Sequence, residues 1–391
     1  MYPTLGHLLS DIFNTDIVLP IPMYGSMLAL AFIGAYLALQ QELKRKAKQG
    51  LIPPTYREEV KGKPASIQEL LLSAFFGFIF GFKFLGIFFL AEQAAGSLKD
   101  FIFSGQGHWP SGIIAGILFA VVNYIDKEKK KLDKPKKEKV AVEPHQQAGN
   151  ILLIAAISGV VGAKIFHQFE NWQSFLSDPL GSLFASGGLT FYGGLIFGAI
   201  AVTWYCRKKG IRIPYMLDAA APAIVLAYAI GRIGCMTAGD GCWGIANTNP
   251  QPDWLSWLPQ WMWAFDYPHN VINEGVKMSQ CHGDYCHVLK DPVYPTPFYE
   301  TVINLFIFSI LWISRTKIHI HGMIFSLFLI LHGFARFFIE KIRVNTTYEI
   351  GNYQITQAEI ISVILILLGV AGIFFFRKHH RKWKKQKPNS G

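Results

Sequence analysis

YMLDAAAPAIVLAYAIGRIGC, residues 215–235, holds only two charged side chains, Asp218 and Arg232, one near each end. The hydrocarbon core of a bilayer is roughly 30 Å thick and asks a helix for about 20 predominantly apolar residues. This stretch meets that demand. It therefore reads as a membrane-spanning helix with a charge held toward one boundary. Outward from it, comparable runs lie at about 21–40, 68–91, 111–125, 150–167, 188–206, 296–314, 322–340 and 358–376, the third of them short. The whole chain is 51% hydrophobic and only 16% charged over 391 residues, a balance foreign to soluble domains. The expectation is an all-α polytopic integral membrane protein of about nine transmembrane helices.

Nine spans sort the basic residues. Segments 41–67, 126–147, 206–214, 315–321 and 377–391 fall on one side and hold 28 of the 37 Lys and Arg residues. Lys99, Lys277, Lys290, Lys341 and Arg343 fall on the other. Basic loops remain cytoplasmic, so the N-terminus is expected in the periplasm and the C-terminus in the cytoplasm. Eight or ten spans would put a basic loop on the wrong side. The net charge of +11 is thereby explained by topology and by anionic lipid, and no nucleic-acid partner is expected. The first apolar run lacks a basic leader and a small-residue cleavage site, so it reads as the first span.

Residues 236–295 form the one large outer loop. Its Trp254, Trp257, Trp261 and Trp263 suit a membrane interface, where an amphipathic ring is favoured. Of the five cysteines, Cys206 ends a span on the cytoplasmic side, while Cys235, Cys242, Cys281 and Cys286 lie where disulfides persist. CHGDYCH (281–287) reads foremost as a disulfide-stapled loop, with free thiols or a metal site as alternatives. No metal or cofactor is expected. Gly77 and Gly81 in GFIFG (77–81) read as helix packing. The glycines of GGLTFYGG (187–194), around Phe191 and Tyr192, also leave backbone open to a ligand.

Ionisable groups within spans are costly and default to function. Those noted are Lys83, Lys164, Asp218, Arg232, Arg336 and Glu340. Asp218, near the cytoplasmic end, reads as a solvated helix terminus, and Lys83 has no evident partner. Arg336, Glu340 and Arg343 follow i, i+4, i+7 spacing and so share a helix face. The guanidinium fork suits bidentate contact with phosphate. Arg232, Arg336 and Arg343 at headgroup depth thus read as a phospholipid phosphate clamp; the competing reading is internal ion pairing.

DPLGSLFASGGLTFYGGLIFG (178–198), DAAAPAIVLAYAIGRIGCMTAGDGCWG (218–244), YPTPFYE (294–300) and HGFARFFIEKIRVN (332–345) occur in the order and spacing of one family. With MYG (23–25), they resemble the prolipoprotein diacylglyceryl transferases. The resemblance covers about 21–40 and 150–376. Residues 41–149, with two extra spans and a basic linker, look like an insertion, and 377–391 is a basic cytoplasmic tail.

The resemblance implies transfer of the diacylglyceryl group of phosphatidylglycerol to the lipobox cysteine of prolipoprotein signal peptides, with release of glycerol 1-phosphate, in the bacterial inner membrane with the site toward the periplasm. It places Arg232 and Arg336 at essential arginines, Glu340 and Arg343 at supporting polar positions, and Tyr24 at a first-span tyrosine. Asp240 stands where the family has glutamate, Tyr192 where it has histidine, Cys235 where it has asparagine, and Lys164 where it has arginine. His332, one turn before Arg336, can supply the base that Tyr192 supplies poorly, since a phenol titrates near 10; a packed core histidine is the alternative. The rival to a transferase is a lipid-binding or lipid-translocating protein that keeps the phosphate clamp without turnover.

Overall fold

The structure is a computed structural model that describes residues 1–91, 93, 98–185, 188, 190–281, 283–345, 347–350 and 353–385. Gly187 and Leu189 of the glycine-rich motif, His282 of CHGDYCH and the last residues of the basic tail lie outside that set. An amphipathic helix α1 (Leu5–Phe13), capped by Thr4, precedes the long helices. These are α2 (Met23–Lys48), α3 (Ile67–Ile79), α4 (Trp109–Lys129), α5 (Ala148–Glu170), α6 (Phe191–Lys208), α7 (Ile213–Ala238), α8 (Thr296–Lys317), α9 (Met323–Glu340) and α10 (Gln357–Lys385). Eight helical segments among the described residues are long and apolar enough to cross a membrane. The ninth expected segment is α6, an 18-residue helix closed by Arg207 and Lys208, packed along α5. The run expected to be short, 111–125, is a 21-residue helix started by His108 and Pro110.

α7 is the central element. Its apolar surface is consumed on several sides, by α2, α8 and α9. Ala219, Ala221, Val225 and Ala229 are fully buried. Small side chains here let neighbouring backbones come close. Lipid-facing helices show the opposite pattern: on α5, Leu153, Ile157 and Val160 are all exposed. The same logic settles part of the glycine-rich motif. A Cβ on Gly193 would stand 2.3 Å from the carbonyl oxygen of Gly162, and one on Gly162 would stand 2.5 Å from that of Gly193. Gly193 therefore serves the α5–α6 contact.

Two ionisable groups have structural partners that the sequence did not reveal. Asp218 is buried, not solvated. It accepts from the backbone N–H of Gly322 at 2.7 Å and of Phe325 at 3.1 Å, capping α9 from a neighbouring helix, with Lys46 Nζ 3.9 Å away. Glycine at 322 takes φ 90°, which lets the chain turn into α9 with those N–H groups aimed at Asp218. Lys83 lies in a π-helical turn, Phe80–Leu85, that continues α3. Its ammonium donates to the carbonyls of Phe101 at 2.8 Å, Ser104 at 2.6 Å and Gln106 at 2.5 Å. It thus satisfies the end of the short helix Leu98–Phe103.

Residues 55–142 form a hairpin of their own. α3 packs on α4, and strands β1 (Thr55–Lys61) and β2 (Lys136–Val142) close it in an antiparallel ladder from Thr55–Val142 to Lys61–Lys136. At the other end, Ile87 and Phe101 pack with Leu19 and with Leu5 and Leu9 of α1.

The long loop after α7 has its own small core of Trp243, Tyr267, Leu289 and Val293. Asn270 is buried and donates to the carbonyls of Tyr267, Glu274 and His287, so its amide replaces regular secondary structure. Cys281 and Cys286 form a disulfide. Trp254 and Trp257 stand 74% and 76% exposed, as rings meant for an interface would.

Candidate active site

α7 ends at Gly239, whose φ of 66° is left-handed and whose N–H closes on the Cys235 carbonyl at 3.0 Å. Arg232 lies in the last two turns before that stop. The chain then runs Asp240–Gly241–Cys242 and straightens at Trp243. Gly244 N–H binds the Tyr294 carbonyl at 2.9 Å, and Ile245 N–H the Ile342 carbonyl at 2.9 Å. This segment therefore ties the beginning of α8 to the end of α9. Thr296, the first residue of α8, donates its hydroxyl to the Cys242 carbonyl at 2.8 Å.

Those ties bring three arginines to one carboxylate. Glu300, on α8, is 3% exposed. Arg232 Nε lies 2.8 Å from Glu300 Oε2, Arg336 Nη1 2.9 Å from Oε1, and Arg343 Nη1 3.7 Å from Oε2. Tyr228, one turn before Arg232, accepts from Arg232 Nη2 at 2.8 Å and donates to Glu300 Oε1 at 2.9 Å. Arg336 Nη2 also reaches Glu340 Oε2 at 3.0 Å, and Asn345 donates to the other oxygen of Glu340. Of the two readings the sequence left open, the internal ion pairs are present. The arginines converge, and what they converge on is Glu300.

The shared helix face needs correction. α9 stops at Glu340, and Arg343 reaches the cluster through a turn, held by its bridge to Gly244. Three guanidiniums face two carboxylates, which leaves one positive charge over. Among the described residues, neither Nε nor Nη1 of Arg343 has a hydrogen-bond partner, although both are buried. A buried donor without a hydrogen bond is costly, and Glu300 Oε2, 3.7 Å from Arg343 Nη1, is likewise without one.

His332 does point inward. Its Nδ1 is 3.1 Å from Asn304 Oδ1, and its ring lies between Phe328 and Tyr228. A small cavity is lined by His332, Asn304, Tyr228, Glu300 and Arg336. Tyr192, at the start of α6, is close enough to feel the charges of Arg336 and Glu340. Lys164 donates to the Ala185 carbonyl at 2.7 Å, outside this cluster.

Asp240 and Cys235 belong to an adjoining group. Arg232 Nη1 approaches Cys235 Sγ at 3.7 Å. Asp240 Oδ1 accepts from Cys242 N–H at 3.2 Å. The Cys242 thiol is drawn below its ordinary value by a hydrogen bond from Cys235, against the opposing effect of burial. Tyr24 of α2 lies against Gly234 and faces this group.

Glu300 is the member of this cluster that sequence reading missed. A signal was present, since it is a carboxylate inside the apolar run 296–314, as costly there as the arginines that were noted.

Residues 112–375 match the family model of prolipoprotein diacylglyceryl transferase. A phosphatidylglycerol–prolipoprotein diacylglyceryl transferase of Leptospira interrogans is 29% identical over 338 residues, covering 74% of this chain and 95% of that protein. Proteins of the same name from Corynebacterium diphtheriae and Enterococcus faecalis are each 29% identical, over 58% and 57% of this chain and 76% and 72% of theirs.

Proposed function

Because the chain belongs to the prolipoprotein diacylglyceryl transferase family, we propose that it moves the diacylglyceryl group of phosphatidylglycerol onto the lipobox cysteine thiol of an exported lipoprotein precursor, releasing glycerol 1-phosphate. The observation that carries the assignment of the site is the convergence of Arg232, Arg336 and Arg343 on Glu300. Glu300 and Tyr228 hold two guanidiniums in fixed orientations. Arg343 keeps unmatched donors for the donor lipid's phosphodiester.

In the reaction the acceptor sulfur attacks the glyceryl carbon and the carbon–oxygen bond to phosphate breaks. The phosphate leaves with one more negative charge than it had. Cations already fixed in a poorly hydrated site favour that late charge more than the ground state, because they need no reorganisation. Glu340 orients Arg336. The proton of the acceptor thiol goes to His332, directly or through the Tyr192 hydroxyl, which gives its own proton on as it takes one. Asp240, Cys235 and Tyr24 border the same region: Asp240 orients the arginines or the glycerol hydroxyls, and Cys235 and Tyr24 line the place of the lipid headgroup.

The charge distribution supports a site facing away from the cytoplasm in the inner membrane. Arg232 and Arg336 lie at the helix ends opposite the Lys- and Arg-rich termini of α2, α6 and α8, and Arg343 follows in the turn after α9. Residues 41–149 form an addition to the core that carries this site.

The purified protein, given phosphatidylglycerol and a lipobox peptide, releases glycerol phosphate only when both are present. Arg343→Ala loses at least about 100-fold of that rate, on the scale of removing one transition-state donor. Lipid retained without peptide-dependent release would instead favour a binding protein.

A further inference from the structure

Cys235 and Cys242 are not used by the arginine cluster, yet they stand beside it with Asp240 between them in sequence. One ligand atom from each residue, two Sγ and a carboxylate oxygen, lies within 4.8 Å of the others. Cys235 is buried, and Asp240 and Cys242 are partly open. The turn that gathers them is built for the purpose: Gly239 and Gly241 both take positive φ, 66° and 84°. One end closes on the helix itself and the other is held by a neighbouring helix. The Cys235 carbonyl binds Gly239 N–H, and the Cys242 carbonyl binds the Thr296 hydroxyl.

Two thiolates and a carboxylate are a donor set for a borderline-soft divalent cation, and three protein ligands with an open fourth position are the pattern of a reactive zinc centre. A zinc–sulfur bond of about 2.3 Å puts two tetrahedral sulfurs about 3.8 Å apart, and the two sulfurs here stand within 4.8 Å. Arg232, 3.7 Å from the Cys235 sulfur, offsets the negative charge of such a ligand set.

We propose that Cys235, Asp240 and Cys242 form a three-ligand site for a zinc-class divalent cation, whose fourth position takes the acceptor cysteine as a thiolate. The cation site rests on the geometry; its use of the acceptor rests on the transferase reading. The acceptor's S–H bond breaks as its sulfur replaces a water on the cation, and the proton passes to His332. A sulfur lone pair then forms the bond to the glyceryl carbon. The carbon–oxygen bond breaks, and its electron pair leaves with glycerol phosphate toward Arg343. The neutral thioether is a weak ligand and gives its position back to water. The cation thus supplies at neutral pH the thiolate that alkylation needs.

Cobalt(II) titration of the metal-stripped full chain in detergent, with the Cys281–Cys286 disulfide intact, tests the site. One equivalent of cobalt should produce a thiolate-to-metal charge-transfer band. Cys242→Ser or Cys235→Ser should weaken binding by at least about 100-fold, and Asp240→Asn should weaken it too, while Cys206→Ser leaves it intact. A lipobox peptide should add to the band, whereas its Cys→Ser version should not. Absence of the band, its survival in Cys235→Ser, or a Cys235–Cys242 disulfide in protein trapped directly from membranes overturns the cation site. Equal glycerol phosphate release by metal-free and zinc-loaded protein overturns the acceptor half alone. No release from either form, with the band present, sinks the transferase reading and the acceptor half with it, and leaves the cation site standing.

Discussion

Gly244 and Arg343 meet as an isolated antiparallel bridge, and that backbone contact carries the third arginine to Glu300. A Cβ on Gly244 would stand 2.3 Å from the Ile342 carbonyl oxygen, an atom that cannot swing aside. Gly244→Ala is therefore expected to displace Arg343. It should cost about 1–3 kcal/mol of stability and lower glycerol phosphate release by at least about tenfold. Thermal unfolding and the release assay read the two effects; a variant with wild-type activity would argue against placement by this bridge.

Glu300→Ala strips the shared partner from Arg232 and Arg336, whose side chains are 14% and 22% exposed. Breaking a buried pair costs about 3–5 kcal/mol, and the arginines lose their orientation along with their partner. The expected result is a lowered unfolding temperature together with loss of turnover. Glu300→Gln, which keeps the shape and one acceptor, should recover part of the stability and little of the turnover.

Asp218→Asn tests the cap on α9, far from the arginines in the fold. It weakens two hydrogen bonds to backbone N–H groups and the approach of Lys46. A loss of about 1–2 kcal/mol in stability is expected, with turnover per folded molecule unchanged. A selective loss of turnover at wild-type stability would mean that Asp218 does more than cap.

Lys83→Met removes the donor shared by three carbonyls of residues 101–106. The damage should stay local. Hydrogen exchange at residues 98–108 is expected to accelerate while α7 to α9 keep their protection, and activity should fall less than twofold. Global unfolding would show that the hairpin supports the core more than its packing implies.

The spans were legible because a bilayer imposes a plain rule: long apolar runs must be helices. Arg232 and Arg336 were legible for the complementary reason, since a charge inside such a run demands an explanation. What failed was pairing. Glu300 sits 68 positions from Arg232 and 36 from Arg336, and only the tertiary fold brings them together. Asp218 looked like a solvated terminus because a sequence shows which end of a helix a residue occupies, but not whose N–H groups lie beside it. Arg343 was assigned to the face of Arg336 by spacing, yet the helix stops at Glu340 and a turn delivers the side chain by another route. His332 could not be oriented from the sequence, because packing between Phe328 and Tyr228 fixes its ring.

The ladder between Thr55 and Val142 sets a condition on how this chain can be altered. The two points where the hairpin leaves and rejoins the rest of the protein sit opposite one another, a single strand spacing of about 5 Å apart. Whatever lies between them can be lengthened, shortened or exchanged without changing the distance the backbone must cover from α2 to α5. A reporter domain whose own termini lie close together could be spliced in at that seam, giving up the packing of Ile87 and Phe101 on Leu19 and α1.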